Sequence, residues 1–500
     1  MLRLRLIALL ALGAAGCATL EEPFRAHRES ASPEVRQCAD WYSALDREAT
    51  DAGVRDAQDA RIPGFPYLRV NRLLASFRHE AAADERGLRA WADRLLELDV
   101  AARRHEIANL PPERFDALPD PAALLSHRVA AQHTQFCGRM LRELDLANPA
   151  SRAALGERAQ VPDDYSMLNR VIGVYALSKI PFTRGVRRYQ EEVLAAFRRE
   201  PAVPEGGTVV RYSPPPVARL SRAMIAGILK RATAEPLGIP EPSGADMDAL
   251  FALYAPIFEI EITGDFDRFG ALRWRLGSDM PGVEPTDLTV YRNAAWTRYR
   301  NLTLLQLVYT IWFPERPPDS ETDLLAGKLD GLTWRVTLAP DGEPLVFDTM
   351  HPCGCYHMFF PTQSAHALAA PDEPPEWMFL PQALPRIAER ERVVLRVATR
   401  THYITRVSVE REAESIVRFE LRPYDDLRSL GRPEGGLRSA FGPDGLVAGT
   451  ERAERYLFWP MGIDSAGAMR QWGRHATAFV GRQHFDDADL FEKRFRFELQ

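Results

Sequence analysis

The chain has 500 residues, 46% of them hydrophobic and 26% charged, with a formal net charge of −6. These are ordinary globular proportions, which excludes bulk disorder, and the length suffices for two or three domains with at least one large core. A mildly acidic balance gives no basic footprint and argues against a nucleic-acid partner.

Arg3 and Arg5 open the chain with a short positive segment. Leu6 to Leu12 follow as an apolar run, and Gly13-Ala14-Ala15-Gly16 place small residues before Cys17. The run is far shorter than the ~20 residues of a membrane-spanning helix, so the order reads as a cleaved secretory signal. Ala14-Ala15-Gly16-Cys17 resembles the bacterial lipobox, with Ala14 standing where Leu is usual. The resemblance implies removal of residues 1–16 as a signal peptide, acylation of Cys17 and a tether over 17–31. Ala18, where an Asp would signal retention, implies an outer-membrane lipoprotein facing the periplasm. Its lipid would be the firm membrane attachment, and another envelope component its protein partner. The longest later apolar stretch, Leu302 to Phe313, is interrupted by Gln306 and bounded by Arg300 and Glu315.

In chain order, residues 32–200 read as an α-helical domain. Ser32-Pro33-Glu34 is a helix start, and Val35, Cys38, Tyr42, Leu45 and Ala49 recur at helical spacing. Leu88 to Ala102 and Leu125 to Met140 carry two further stripes, the last with Cys137 beside its apolar face. Asn148-Pro149 starts a short helix. Asp163 to Ser178 and Thr183 to Arg199 read as a pair broken at Pro181. Ile172 to Phe182, followed by Arg184, Arg187 and Arg188, has the make-up of a membrane-surface segment, although a buried helix hairpin is the expectation.

Residues 201–255 are rich in Pro and Gly and read as a linker with two helices, Ala218 to Ala232 and Ala245 to Tyr254. From 256 to 500 the hydrophobic period changes to two, and ten short runs read as strands, from Ile257 to Thr263 through to Arg455 to Trp459. Pro340-Asp341-Gly342 is a hairpin turn. The fold class is therefore α+β: a helical domain, then a large, mainly antiparallel β domain, either a sandwich or a partly closed barrel.

Four cysteines remain besides Cys17, and an oxidising compartment allows two disulfides. The natural partition is Cys38–Cys137 and Cys353–Cys355. The first closes a loop of about 100 residues and contributes up to ~4.7 kcal/mol on the chain-entropy model.

One segment concentrates chemistry: His351-Pro-Cys353-Gly-Cys355-Tyr-His357. If the preceding strand continues, all four ligand-type residues share one face. Alternate side chains on a straight strand lie roughly 6.5–7 Å apart, too far for four ligands on one ion, so Pro352 and Gly354 would have to bend the chain. Three readings stand. The thiols are buried core residues with satisfied histidines beside them. Alternatively His351, Cys353, Cys355 and His357 bind zinc or copper, with His366, His402, His475 or His484 as a remote ligand. In the third, Cys353 and Cys355 form a strained redox disulfide. Near the C-terminus, Arg474-His475 and His484 to Asp489 bring acids and histidines together, most simply as a cap on a helix from Ala488 to Phe495. No Gly-x-Ser-x-Gly, His-Glu-x-x-His, Walker or Gly-x-Gly-x-x-Gly motif occurs, and no residue stands out as catalytic. The expectation is a lipid-anchored periplasmic scaffold or binding module. The alternative is a metal-binding or thiol-redox protein centred on the His/Cys segment.

Overall fold

The computed structural model describes residues 22–119, 126–200, 202–217, 220–370, 376–411 and 417–499. The signal-like segment and Cys17 lie outside the described residues. The chain divides into two compact units, Met1–Pro162 with Gly436–Asp444, and Asp163–Gly435 with Gly445–Gln500.

The first unit is built on three long helices, Pro33–Asp51, Glu85–Asn109 and His127–Ala147. Ser32 caps the first, its side chain accepting from the Val35 N–H, and Ser126 caps the third in the same way through Val129. Cys38 and Cys137, both buried, are joined in a disulfide with their Cα atoms 5.0 Å apart. The Trp41 indole donates to Thr134 Oγ1 at 3.0 Å, a second tie between the same two helices. A short hairpin, Ala60–Ile62 with Phe65–Val70, inserts between helices and carries Arg69 into the interior. There Arg69 and Arg103 meet Asp99 and Glu106, all four fully buried. Burial alone would raise the Glu106 pKa, but the guanidinium groups of Arg69, Arg103 and Arg61 outweigh it and hold the carboxyl well below its ordinary range.

The second unit holds two large sheets over a common core, besides two-stranded pairs. The six-stranded sheet has the order Met358–Pro361, Pro344–Met350, Gly327–Leu338, Leu302–Arg316, Thr289–Tyr299, Glu420–Pro423. Its pairs are antiparallel except the last, which is parallel. The five-stranded sheet runs Ile404–Arg411, Glu391–Val397, Ile257–Ile262, Thr208–Ser213, Val417–Arg418, and it too is mixed. Along Leu302–Arg316 the side chains alternate. Leu305, Leu307, Tyr309, Ile311 and Phe313 enter the core shared with Phe258, Ile260, Val393 and Leu395 of the other sheet. Leu304 faces the opposite way, onto Phe491, Phe495 and Phe497 of the C-terminal segment. Both faces of this strand are covered, which is why its sequence is continuously apolar rather than alternating. Neither sheet closes into a barrel among the described residues, and the α+β class holds.

Several elements differ from the sequence reading. The boundary between the compact units falls at Pro162, not near 200, because Val193, with Tyr189 and Phe197 packed beside it, joins the core of the second unit. Residues 208–254 are structural members of that unit rather than a linker. Thr208–Ser213 is a sheet strand, and the helices Arg222–Ala232 and Gly244–Tyr254 bury Ile225, Ile228, Leu229, Leu250 and Phe251. Helix Tyr175–Arg198 runs through Pro181 without a break, and the interruption lies at Gly173-Val174, where Val174 adopts a left-handed φ of 48°. Arg455–Phe458 is a helical turn, not a strand, and 488–494 forms turns, not a helix.

Candidate ligand cavity

The strand Pro344–Met350 does not continue through the His/Cys segment. The chain turns instead, with the Gly354 N–H donating to the His351 carbonyl at 2.8 Å and the His351 N–H to the Cys355 carbonyl at 3.0 Å. Gly354 takes φ 87°, and a Cβ there would collide with the Ala476 carbonyl, so only glycine fits this turn. Tyr356 follows at φ 63°, and the next strand begins at Met358. The four ligand-type side chains do not converge. His351 Nδ1 lies 3.2 Å from Asp330 Oδ1, whereas His357 Nε2 lies 2.8 Å from Asp348 Oδ2. Cys353 and Cys355 are free, buried thiols. A hydrogen bond from Cys353, added to burial, pushes the Cys355 thiol well above its ordinary pKa, which suppresses the thiolate that metal binding or exchange needs. Among the described residues no group of three or more His, Cys, Asp or Glu is placed to hold a metal ion.

The remote histidines are engaged elsewhere. His402 sits between Asp330, at 2.8 Å, and Asp267, at 3.5 Å, and stacks on Phe313. Burial disfavours its charge, but the two aspartates prevail and raise its pKa. His475 is buried beside Arg470 and pushed down to about 3, chiefly by burial. His366 faces Glu498 at 2.7 Å, and His484 lies 3.4 Å from Asp164, which Arg474 also contacts.

What the turn does build is one wall of a large cavity. It places Tyr356 and His357 on a space of about 800 Å³ within the second unit. Apolar walls come from Phe182 and Val186 of helix Tyr175–Arg198, Phe359 and Phe379, and Phe458 and Phe479. His357 is fixed at both nitrogens: Nε2–H donates to Asp348, and the Gln483 amide donates to Nδ1 at 2.8 Å. Asp348 in turn takes both arms of buried Arg335, at 2.9 and 2.5 Å. Burial lowers the His357 pKa, so the ring is held neutral and oriented.

A cluster of polar groups interrupts the apolar lining. Tyr356 and Tyr403 pack with ring centroids 4.6 Å apart, and Tyr189 lies 5.1 Å from Tyr356. Arg316, only 5% exposed, donates Nη1 to Tyr403 Oη at 2.9 Å and forms no ion pair among the described residues. Glu454, 3% exposed, lines the same space. Its burial outweighs the nearby Arg452 and Arg316 and lifts its pKa to about 7. Glu376 is likewise raised to about 7 by burial, against hydrogen bonds from the Val480 and Phe479 N–H groups. Two carboxyls that keep their protons up to about pH 7, and one guanidinium without an ion pair among the described residues, thus share an otherwise greasy space.

Sequence reasoning located Tyr356 and His357 only as parts of a metal motif and missed Arg316, Glu376, Tyr403 and Glu454. Arg316 lies three residues beyond the apolar run Leu304 to Phe313, after Pro314 and Glu315, and that position was the one available signal. The chain matches no protein-family model, no curated protein and no solved structure.

Proposed function

We propose that the protein is a lipid-anchored binding module of the bacterial envelope, whose second unit takes up an elongated apolar molecule with an anionic end. One observation carries this reading: a cavity of about 800 Å³, walled mainly by aromatic and aliphatic side chains, contains buried Arg316, which has no carboxylate partner among the described residues. Small-molecule sites have this size and this balance of apolar walls with few polar groups. The apolar part of such a ligand gains from leaving water, and a carboxylate or phosphate would supply the ion pair that Arg316 lacks. The tyrosine hydroxyls add donors that tolerate an anion, as do the carboxyls of Glu454 and Glu376 below about pH 7, where they hold their protons. Anchoring through Cys17 would keep the cavity at the periplasmic face of a membrane rich in acyl chains.

Calorimetric titration of the full chain with oleate tests the reading, with oleyl alcohol as the uncharged control. Saturable binding of oleate with a negative heat-capacity change is expected. Arg316→Gln should weaken oleate about tenfold or more while leaving oleyl alcohol nearly unaffected. Absence of saturable binding by either compound would refute the assignment.

A further inference from the structure

Helix Tyr175–Arg198 turns one face to the cavity and another to solvent. On the outward face Leu177, Ile180, Arg184 and Arg187 recur three and four residues apart and form one stripe. All four are exposed, so the segment is not the buried hairpin its sequence suggests. The preceding helix Met167–Ile172 extends the apolar end of the stripe, with Leu168 68% and Ile172 62% exposed. Beside it lies the turn 455–461, where Tyr456 is 71% exposed and Trp459 is also exposed. Contact between these elements is direct: Gly173 packs on Pro460, and the Phe182 and Phe458 rings lie 5.0 Å apart. Residues 167–190 contain no Asp or Glu, but they include Lys179, Arg184 and Arg187, besides Arg188, which pairs with Glu192 at 3.0 Å.

We infer that this face docks on an anionic phospholipid surface. An exposed apolar tip flanked by basic residues, with Tyr and Trp at its edge, matches the composition of segments that lie in the membrane interface. Charge decides the occupant. The basic stripe complements lipid phosphates, whereas a second copy docking through the same face would set Lys179, Arg184 and Arg187 against their own like charges. This contact is separate from an N-terminal lipid, and it adjoins the cavity, since Leu457 and Phe458 belong to both. Docking would therefore fix which side of the cavity faces the bilayer.

Hydroxyl-radical footprinting of the full chain, with and without phosphatidylglycerol vesicles, reads side-chain access whatever the N-terminus carries. Labelling of Leu168, Ile172, Tyr456 and Trp459 should fall at least about fivefold with these vesicles, and much less with phosphatidylcholine alone. Leu276, which is exposed elsewhere, should be unchanged. Leu168→Glu with Ile172→Glu alters only exposed positions, and should abolish protection of Tyr456 and Trp459 while oleate binding persists. Unchanged labelling with vesicles would overturn the inference. So would protection that appears without vesicles and grows with protein concentration, which is the signature of self-association. Oleate titration reads the cavity instead, so the two assignments can fail separately.

Discussion

Glu454 shows most directly what the cavity does to a single side chain. Its carboxyl lines the space beside Arg316 yet forms no ion pair with it, and its pKa is lifted to about 7 against an ordinary 4.5. In the unfolded chain the proton leaves near the ordinary value, while the folded chain keeps it until about pH 7. The folded state then binds more protons across that window, so stability falls as pH rises from about 4.5 to about 7 and stays reduced above it. Glu454→Gln should therefore stabilise the protein at pH 8 by about 1–3 kcal/mol and give little at pH 4, as read by urea unfolding at both values. An equal effect at the two pH values would mean that the folded state does not raise this pKa. The histidines and cysteines of 351–357 were conspicuous in the sequence because of their rarity, but rarity fixes neither direction nor partner. Period-two spacing aligns four side chains only if the strand runs on, and Gly354 ends it. After that turn each histidine meets the nearest buried carboxylate, Asp330 or Asp348, which lies at a distance in sequence that no local pattern reports.

At the scale of elements, the helices of the first unit were legible because caps and stripes are local properties. Ser32-Pro33 and the spacing of Val35, Cys38 and Tyr42 determine where that helix starts and which side is buried. The disulfide followed from the same logic, since both cysteines sit on or beside apolar stripes. Replacing both Cys38 and Cys137 with Ser should cost about 2–5 kcal/mol of stability to denaturant and leave oleate binding unchanged, because the cavity is built within the other unit. A stability indistinguishable from that of the parent chain would show that the bond constrains little of the unfolded ensemble. Helix Tyr175–Arg198 departs from what its sequence predicts. Pro181 removes one backbone donor and predicts a break, but the helix continues past it and the chain bends instead at Gly173-Val174. Its two apolar faces, one on the cavity and one toward solvent, cannot be told apart by periodicity alone.

At the scale of the molecule, the change from helical to strand period correctly separated an α-rich from a β-rich part of the chain. It misplaced the boundary because an amphipathic helix records that it has a buried face, not which body supplies the partner. Residues 163–200 are helical by pattern but belong to the second unit through Tyr165, Tyr189 and Val193. Pro-rich composition misled in the same way over 208–254, where the intervening strand and helices close one side of the core. The cavity is a product of that long-range assembly: its lining comes from segments between Pro181 and Gln483 that share no sequence signature. Whether it is a ligand site can be decided by a crystal structure of the full chain grown with 9,10-dibromostearate and measured at the bromine edge. Anomalous peaks among Phe182, Phe359, Phe379 and Phe479, with the carboxylate within hydrogen-bond reach of Arg316, are expected. Bromine density found only outside this cavity, or none at saturating ligand, would contradict the assignment.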